Sequence, residues 1–218
     1  VYDELVPRLV ERVNRIRLGN GYDWSAEMGS LVSADQLAKV REHIDDAVAK
    51  GATILAGGKH RDDIGPFVHE PTLLTGVTDD MLCARTETFG PVVAIYRVSD
   101  DEEAIRLAND SEYGLNASVW ASPAHGKAIA RQLRTGTVNI NEGYAAAWAS
   151  HDAPMGGMGI SGLGRRHGRE GIRKFTEPQT ISVQRLIPIA PQPQFSLEQW
   201  ADVMTTGVRL MRQLPFFK

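Results

Sequence analysis

Apolar residues recur along the chain at three- and four-residue steps in some stretches and cluster as β-branched runs in others, and this alternation predicts most of its elements. From Tyr2 to Leu18 the positions Leu5, Leu9, Val13 and Ile16 fall on one helical face. Ser33 is placed to cap a second helix whose stripe is Leu37, Val40, Ile44 and Val48, with Gly51 supplying the permissive backbone at its end. A strand is expected to begin at Thr53. Val92 to Val98 reads as a further strand, followed by a helix with a capping box formed by Ser99 and Glu102 and a buried face of Ile105 and Ala108. Ser118 to Trp120 is a short strand. Ser122 then caps a helix that has Pro123 in its first turn and ends by Gly136, and Thr137 to Ile140 forms the next strand. Strand, helix, strand, helix, strand at this spacing predicts right-handed crossovers and an α/β fold with a mainly parallel sheet and flanking helices.

Beyond Asn141 the periodic signal fades. Gly143 to Gly171 holds eight glycines and reads as a long loop with a short helix near its end, and loops of that length usually carry function. Thr180 to Val183 alternates as a strand does, Ile187 to Pro193 is a proline-rich linker, and Ser196 to Gln213 is an amphipathic helix with Leu197, Trp200, Met204, Val208 and Met211 on one face. Gly207 weakens that helix. The organisation expected is therefore 1–178 as one domain, 179–186 as a terminal strand, and 187–218 as linker and tail helix.

Composition narrows the class. The 218 residues are 42% hydrophobic and 23% charged, ordinary for a globular chain able to bury a core. A formal charge of −3 supplies no general attraction to nucleic acid, so no nucleic-acid partner is expected, and the basic run Arg165, Arg166, His167, Arg169 is a local patch. One cysteine, Cys83, forms no internal disulfide and no CxxC site, which points to a reducing compartment such as the cytoplasm. The chain opens at Val1 directly into an amphipathic segment, and the expectation is that its true N-terminus lies upstream.

Two tempting motifs are set aside. Gly157-Met158-Gly159-Ile160-Ser161-Gly162 is a literal G-x-G-x-x-G, but a phosphate-binding loop needs a strand running into its first glycine, and here Tyr144 to Pro154 intervene. His151, Asp152 and His167 match no compact zinc spacing, so no metal is expected.

The specific signal is a set of short motifs in order. Glu87-Thr88-Phe89-Gly90-Pro91 precedes one strand, Tyr113-Gly114-Leu115 another, Asn139-Ile140-Asn141 ends a third, and Pro154-Met155-Gly156-Gly157 is followed by Ser161-Gly162. Together with Met28-Gly29-Ser30-Leu31, Gly51-Ala52 and Gly57-Gly58, this set resembles the aldehyde dehydrogenase superfamily from Val1 to about Arg185. Asn141-Glu142-Gly143 and Ser161-Gly162-Leu163-Gly164-Arg165 bring it nearest to the succinate-semialdehyde dehydrogenases. Met155 stands where the family usually has an aromatic residue, and Gly159 where a lysine is common.

The resemblance implies an NAD- or NADP-dependent oxidation of a small-molecule aldehyde by a cysteine thiolate, assisted by a glutamate base, with hydride passing to the nicotinamide. In the family both groups precede the segment that begins here at Val1. The isolated chain is therefore expected to be inactive, with no catalytic residue of its own. It also implies that Glu87 accepts hydrogen bonds from the nicotinamide-ribose hydroxyls, that Phe89 packs beside the nicotinamide, and that Ser150 binds a substrate carboxylate. Cys83 lies in a segment that the family fills with small or aliphatic residues and has no histidine within ten positions, so it is expected to be structural.

The Thr180 to Arg185 strand resembles the family's oligomerisation strand, which implies a homo-oligomer. Phe216, Phe217 and Lys218, with Arg209 and Arg212, are the residues through which the tail could touch a membrane surface. The alternative from another class is a non-catalytic pseudoenzyme or assembly subunit.

Overall fold

A computed structural model of the chain describes residues 1–21, 24–185 and 190–213. It divides into two units, Val1–Ile172 and the part from Arg173 onward.

The core of the first unit lies where helix α2 (Ala34–Ala49) crosses a sheet of β1 (Thr53–Ala56), β2 (Thr72–Thr75) and β3 (Val92–Ile95). The Ser33 hydroxyl accepts a hydrogen bond from the Gln36 N–H at 3.2 Å and starts α2, and Gly51 follows its end at φ 104°. Leu37, Val40 and Ile44 are buried as the stripe requires, together with Ala47, while Val48 is half exposed, one step off the buried arc. Ala47, Ala52, Leu74, Val77 and Met81 form one cluster, and each fully buried side chain of leucine size contributes about 1.5–3 kcal/mol. Helix α1 (Tyr2–Asn14), shorter than the amphipathic run, has no buried residue.

Parallel pairing is present, but the three strands expected in one sheet fall in two. β2 pairs with β1 antiparallel and with β3 parallel, whereas β4 (Asn116–Val119) and β5 (Thr137–Ile140) form a separate parallel pair. β2 has no alternation to reveal it, because Thr72, Leu73 and Leu74 are buried in succession. β3 stops at Ile95 instead of Val98, since its partner β2 is only four residues long and is bounded by Pro71 and by Gly76 at φ 72°.

Helix α4 (Asp101–Asn109) is capped one residue later than the Ser99 box predicts. Asp100 accepts from the Glu103 N–H at 2.8 Å, and the Glu103 carboxylate accepts in return from Ser99. Ile105 is half-buried and Ala108 exposed, so the expected burial of this face is not found in the chain on its own. Helix α5 (Pro123–Ala130) begins with Pro123 after Ser122, which makes no side-chain cap, and ends six residues before Gly136.

The long loop contains α6 (Ala145–Ala149), a 3-10 turn (Gly159–Ser161) and α7 (Gly168–Arg173).

In the second unit, 180–185 carry no strand; Ile181 and Val183 are exposed, and a strand exists only where a neighbour completes its ladder. Helix α8 (Leu197–Met211) starts with a full capping box of Ser196 and Gln199. Of its expected face only Trp200 is buried, beside the Phe195 ring at 5.9 Å. Phe216, Phe217 and Lys218, and the first part of the Ile187 to Pro193 linker, lie outside the described residues. Among the described residues no helix is long and apolar enough to cross a membrane.

Candidate functional site

The loop from Thr86 to Gly90 is shaped by helix α2. Gln36 Nε2 donates to the carbonyl oxygens of Thr88 and Phe89 at 2.7 and 3.0 Å, and Lys39 Nζ donates to that of Glu87 at 2.6 Å. His43 Nδ1 lies 2.9 Å from Thr88 Oγ1. Gly90 lies so close to Val40 that a Cβ there would run into its Cγ2 methyl. Helix α3 (Leu82–Arg85), which leads into the loop, is held by Asp46 of α2, whose carboxylate accepts from the Leu82 N–H at 2.8 Å. With so many tethers the loop sustains a left-handed Phe89 at φ 55°, a conformation that costs a non-glycine residue about 1–3 kcal/mol. The Phe89 ring is 73% exposed.

This loop forms one wall of an open cleft of about 970 Å³. The opposite wall comes from Ser111, Tyr113 to Ala117, Leu133 to Thr135, and Ile160 with Ser161. Glu87 and Phe89 both face it. The Glu87 N–H donates to the Tyr113 hydroxyl at 3.3 Å, so the two walls are joined at that point, while the Glu87 carboxylate has no hydrogen bond or ion pair among the described residues. A carboxylate free to accept and a flat apolar ring on the same wall suit a ligand that offers hydroxyl donors next to a planar ring.

Close backbone packing explains the glycines opposite. Gly114 O accepts from the N–H groups of Gly136 and Met158 at 3.0 and 2.9 Å, the Gly114 N–H donates to Ser161 Oγ at 2.9 Å, and Glu112 O accepts from Ile160 at 3.0 Å. A Cβ on Gly136 would overlap the Gly156 carbonyl, and one on Gly157 would lie 2.5 Å from Ser161 O. Of the G-x-G-x-x-G, Gly157 and Gly159 are closed in by backbone of this chain while Gly162 is open, and among the described residues no strand runs into Gly157. The loop start is fixed equally firmly: Gly143 O accepts from Ser118 Oγ at 2.7 Å and from the buried Asn139 at 3.2 Å, and Asn141, left-handed at φ 56°, bonds both backbone groups of Ala121.

Ser150 is elsewhere. It ends α6, its hydroxyl accepts from the Ala153 N–H at 3.2 Å, and it does not line the cleft with Glu87 and Phe89. Cys83 packs against the core cluster at the cleft's edge, and burial pushes its thiol above the ordinary range, the opposite of what an attacking thiolate needs. Burial likewise lowers the pKa of His43, assisted by Lys39, and keeps the ring neutral. No three metal-ligating side chains converge among the described residues.

Residues 1–181 match the model of the aldehyde dehydrogenase family. The chain belongs to this family. It is 56% identical over 216 residues to a protein of Mycolicibacterium smegmatis provisionally named succinate-semialdehyde dehydrogenase [NADP+], covering 99% of this chain and 42% of that one. It is 40% identical over 190 residues to succinate-semialdehyde dehydrogenase [NADP+] 2 of Schizosaccharomyces pombe, covering 85% and 37%. Among solved structures, betaine aldehyde dehydrogenase of Staphylococcus aureus in complex with NAD+ matches at 36% identity and TM-score 0.73, over 84% of this chain and 39% of that one. The aldehyde dehydrogenase of Bacillus cereus in its NAD+ complex matches at 40% and 0.75, over 81% and 35%. The chain thus spans about two fifths of the length of the curated relatives it matches.

Within this aldehyde dehydrogenase chain, motif reading found the loop that carries Glu87 and Phe89 but not the α2 residues that hold it. Gln36, Lys39 and His43 form a polar row of the helix beside its apolar stripe, and periodicity of apolar residues does not mark them.

Proposed function

We propose that this chain forms the nicotinamide-proximal wall of an NAD(P)-dependent aldehyde dehydrogenase that oxidises an aldehyde to a carboxylic acid, with succinate semialdehyde as the substrate to test first. The observation that carries the reading is the Glu87–Phe89 loop, locked by α2 in a left-handed turn, with an exposed ring and a carboxylate that has no partner among the described residues on one cleft. In this role Glu87 accepts from the ribose hydroxyls and Phe89 holds the planar ring in place. The bound nicotinamide accepts the hydride. The relatives' names favour NADP+, and the NAD+ complexes of the structural neighbours keep both cofactors in play.

Cys83, with its raised pKa and its place against the core, is a poor nucleophile, so the thiolate and the base belong to a part of a longer polypeptide and the 218 residues alone do not turn over. Ser150 is the candidate for binding the substrate carboxylate, through a loop tied at Gly143. Residues 1–178 act as the catalytic-domain part, 179–186 pair with a second subunit of a homo-oligomer, and 187–218 form linker and tail. The exposed Ile181 and Val183 suit such pairing, and cytoplasm is the compartment proposed.

The test is aldehyde-dependent reduction of NAD+ and NADP+, followed by absorbance, in the polypeptide that joins this chain to the upstream part its relatives possess. Turnover of succinate semialdehyde that weakens in cofactor KM on Glu87→Ala supports the reading. Absence of turnover across a panel of aldehydes overturns it in favour of a non-catalytic subunit.

A further inference from the structure

Thr88 stands between the two residues exposed to the cleft, yet it is itself half-buried against α2. Its hydroxyl meets His43 Nδ1 at 2.9 Å, and His43 is 4% exposed, one turn beyond Val40 on the helix that templates the loop. The other tethers, from Gln36 and Lys39, all reach backbone carbonyl oxygens. They set how far the loop stands from the helix. The His43 bond is the one side-chain to side-chain tether between α2 and this loop among the described residues, and it fixes the Thr88 hydroxyl to the helix. With its hydroxyl bonded to the helix, Thr88 anchors the middle of this stretch while Glu87 and Phe89 on either side stay exposed on the cleft wall. A neutral imidazole offers one donor and one acceptor, so it can satisfy the hydroxyl in either tautomer, and burial holds the ring neutral.

We propose that His43 is a positioning residue for the cofactor, acting through Thr88 to keep Glu87 and Phe89 presented to the cleft without touching the ligand itself. The inference rests on the cofactor reading above. It predicts that cofactor affinity depends on a hydrogen bond from His43, a residue that does not line the cleft.

The test is equilibrium binding of NADH and NADPH, followed by ligand fluorescence, to the full polypeptide and to His43→Leu, Thr88→Val, the double variant and His43→Asn. Loss of one neutral hydrogen bond corresponds to roughly 3- to 10-fold weaker binding in each single variant. The double variant is expected to bind no worse than the weaker single one, because both remove the same bond. His43→Asn, whose amide reaches the place of Nδ1, is expected to return affinity to within about twofold. A purely structural role would lower the melting temperature without this pattern of coupling and rescue.

Unchanged affinity in both single variants, or additive losses in the double, overturns the proposal while leaving the cofactor reading in place. A parent polypeptide that binds neither cofactor overturns both. If His43→Leu does not fold, Thr88→Val compared with Thr88→Ser decides, since serine keeps the hydroxyl: equal affinity in the two overturns the proposal.

Discussion

Replacing Gly136 by alanine adds a single methyl group where two backbones touch, and the consequence can be worked out atom by atom. The new Cβ would overlap the Gly156 carbonyl oxygen and lie 2.7 Å from its carbon and 3.3 Å from Gly157 Cα. Backbone cannot rotate away as a side chain can, so the two segments must separate by about 1 Å or more. Three hydrogen bonds centred on Gly114 hold them together, from Gly136, from Met158 and to Ser161. At about 1 kcal/mol each their loss removes roughly 3 kcal/mol from this part of the cleft wall, with overpacking strain in addition. The assay is amide hydrogen exchange in the full polypeptide: protection at Gly114, Met158 and Ile160 is expected to fall about a hundredfold, since each 1.4 kcal/mol is a factor of ten. Gly143→Ala is the matched control, because nothing lies within 4 Å of a Cβ at that position, and it is expected to leave protection within about twofold. Equal behaviour of the two variants would refute the view that the glycines serve close backbone packing.

Other expectations concern stability and reactivity. Gly207 lies inside α8 with open space around it, so Gly207→Ala is expected to slow exchange of the Met204 to Leu210 amides by about fourfold, in line with a helix-propensity gain of about 0.8–1 kcal/mol; faster exchange would contradict this. Ser196→Ala removes the hydroxyl half of the α8 capping box, leaving the backbone N–H of residue 196 to donate to Gln199 Oε1, and is expected to speed exchange at Gln199 and Trp200 by about fivefold; unchanged rates would count against the cap. His43 and His69 have folded-state pKa values below 6.5 because burial disfavours the charged ring, so the unfolded chain takes up protons first as pH falls. Their contribution is complete above pH 6.5 and is lost as pH drops through their lowered folded values, at no more than about 1.4 kcal/mol per pH unit for each ring. Asp46, held below 3.8 chiefly by Lys50, contributes its own loss only in more acid solution, so a urea midpoint that stays flat from pH 7.5 to 4.5 would refute the histidine argument. Cys83 is expected to alkylate with a pH midpoint above that of an unperturbed thiol, read by mass spectrometry of its peptide; a midpoint below pH 8 would reopen the question of its reactivity.

Legibility in the sequence follows the range of the interaction that fixes each feature. Helix α2, its Ser33 cap and its Gly51 terminus are settled within one or two turns, and the same holds for the α8 capping box and for β5; all are found close to where the pattern puts them. The strands at 72–75 and 180–183 depend instead on partners. The first is present without alternation because it is covered on both sides, and the second alternates yet has no ladder in a single chain. The division into two sheets is hidden for the same reason, since periodicity says which face is apolar but not which strand lies alongside. The site divides in a similar way. Glu87 and Phe89 are legible only as parts of a family motif, because a carboxylate and an aromatic ring two residues apart have no chemistry of their own until a cleft is placed beside them. The residues that hold their loop carried a signal in plain view: Gln36, Lys39 and His43 repeat at helical spacing beside the buried stripe of Leu37, Val40 and Ile44. A polar row at that spacing is ordinarily read as a solvated face. Here it bonds a segment some fifty residues downstream, so the helix packs the core with one row and orients the candidate cofactor loop with the next.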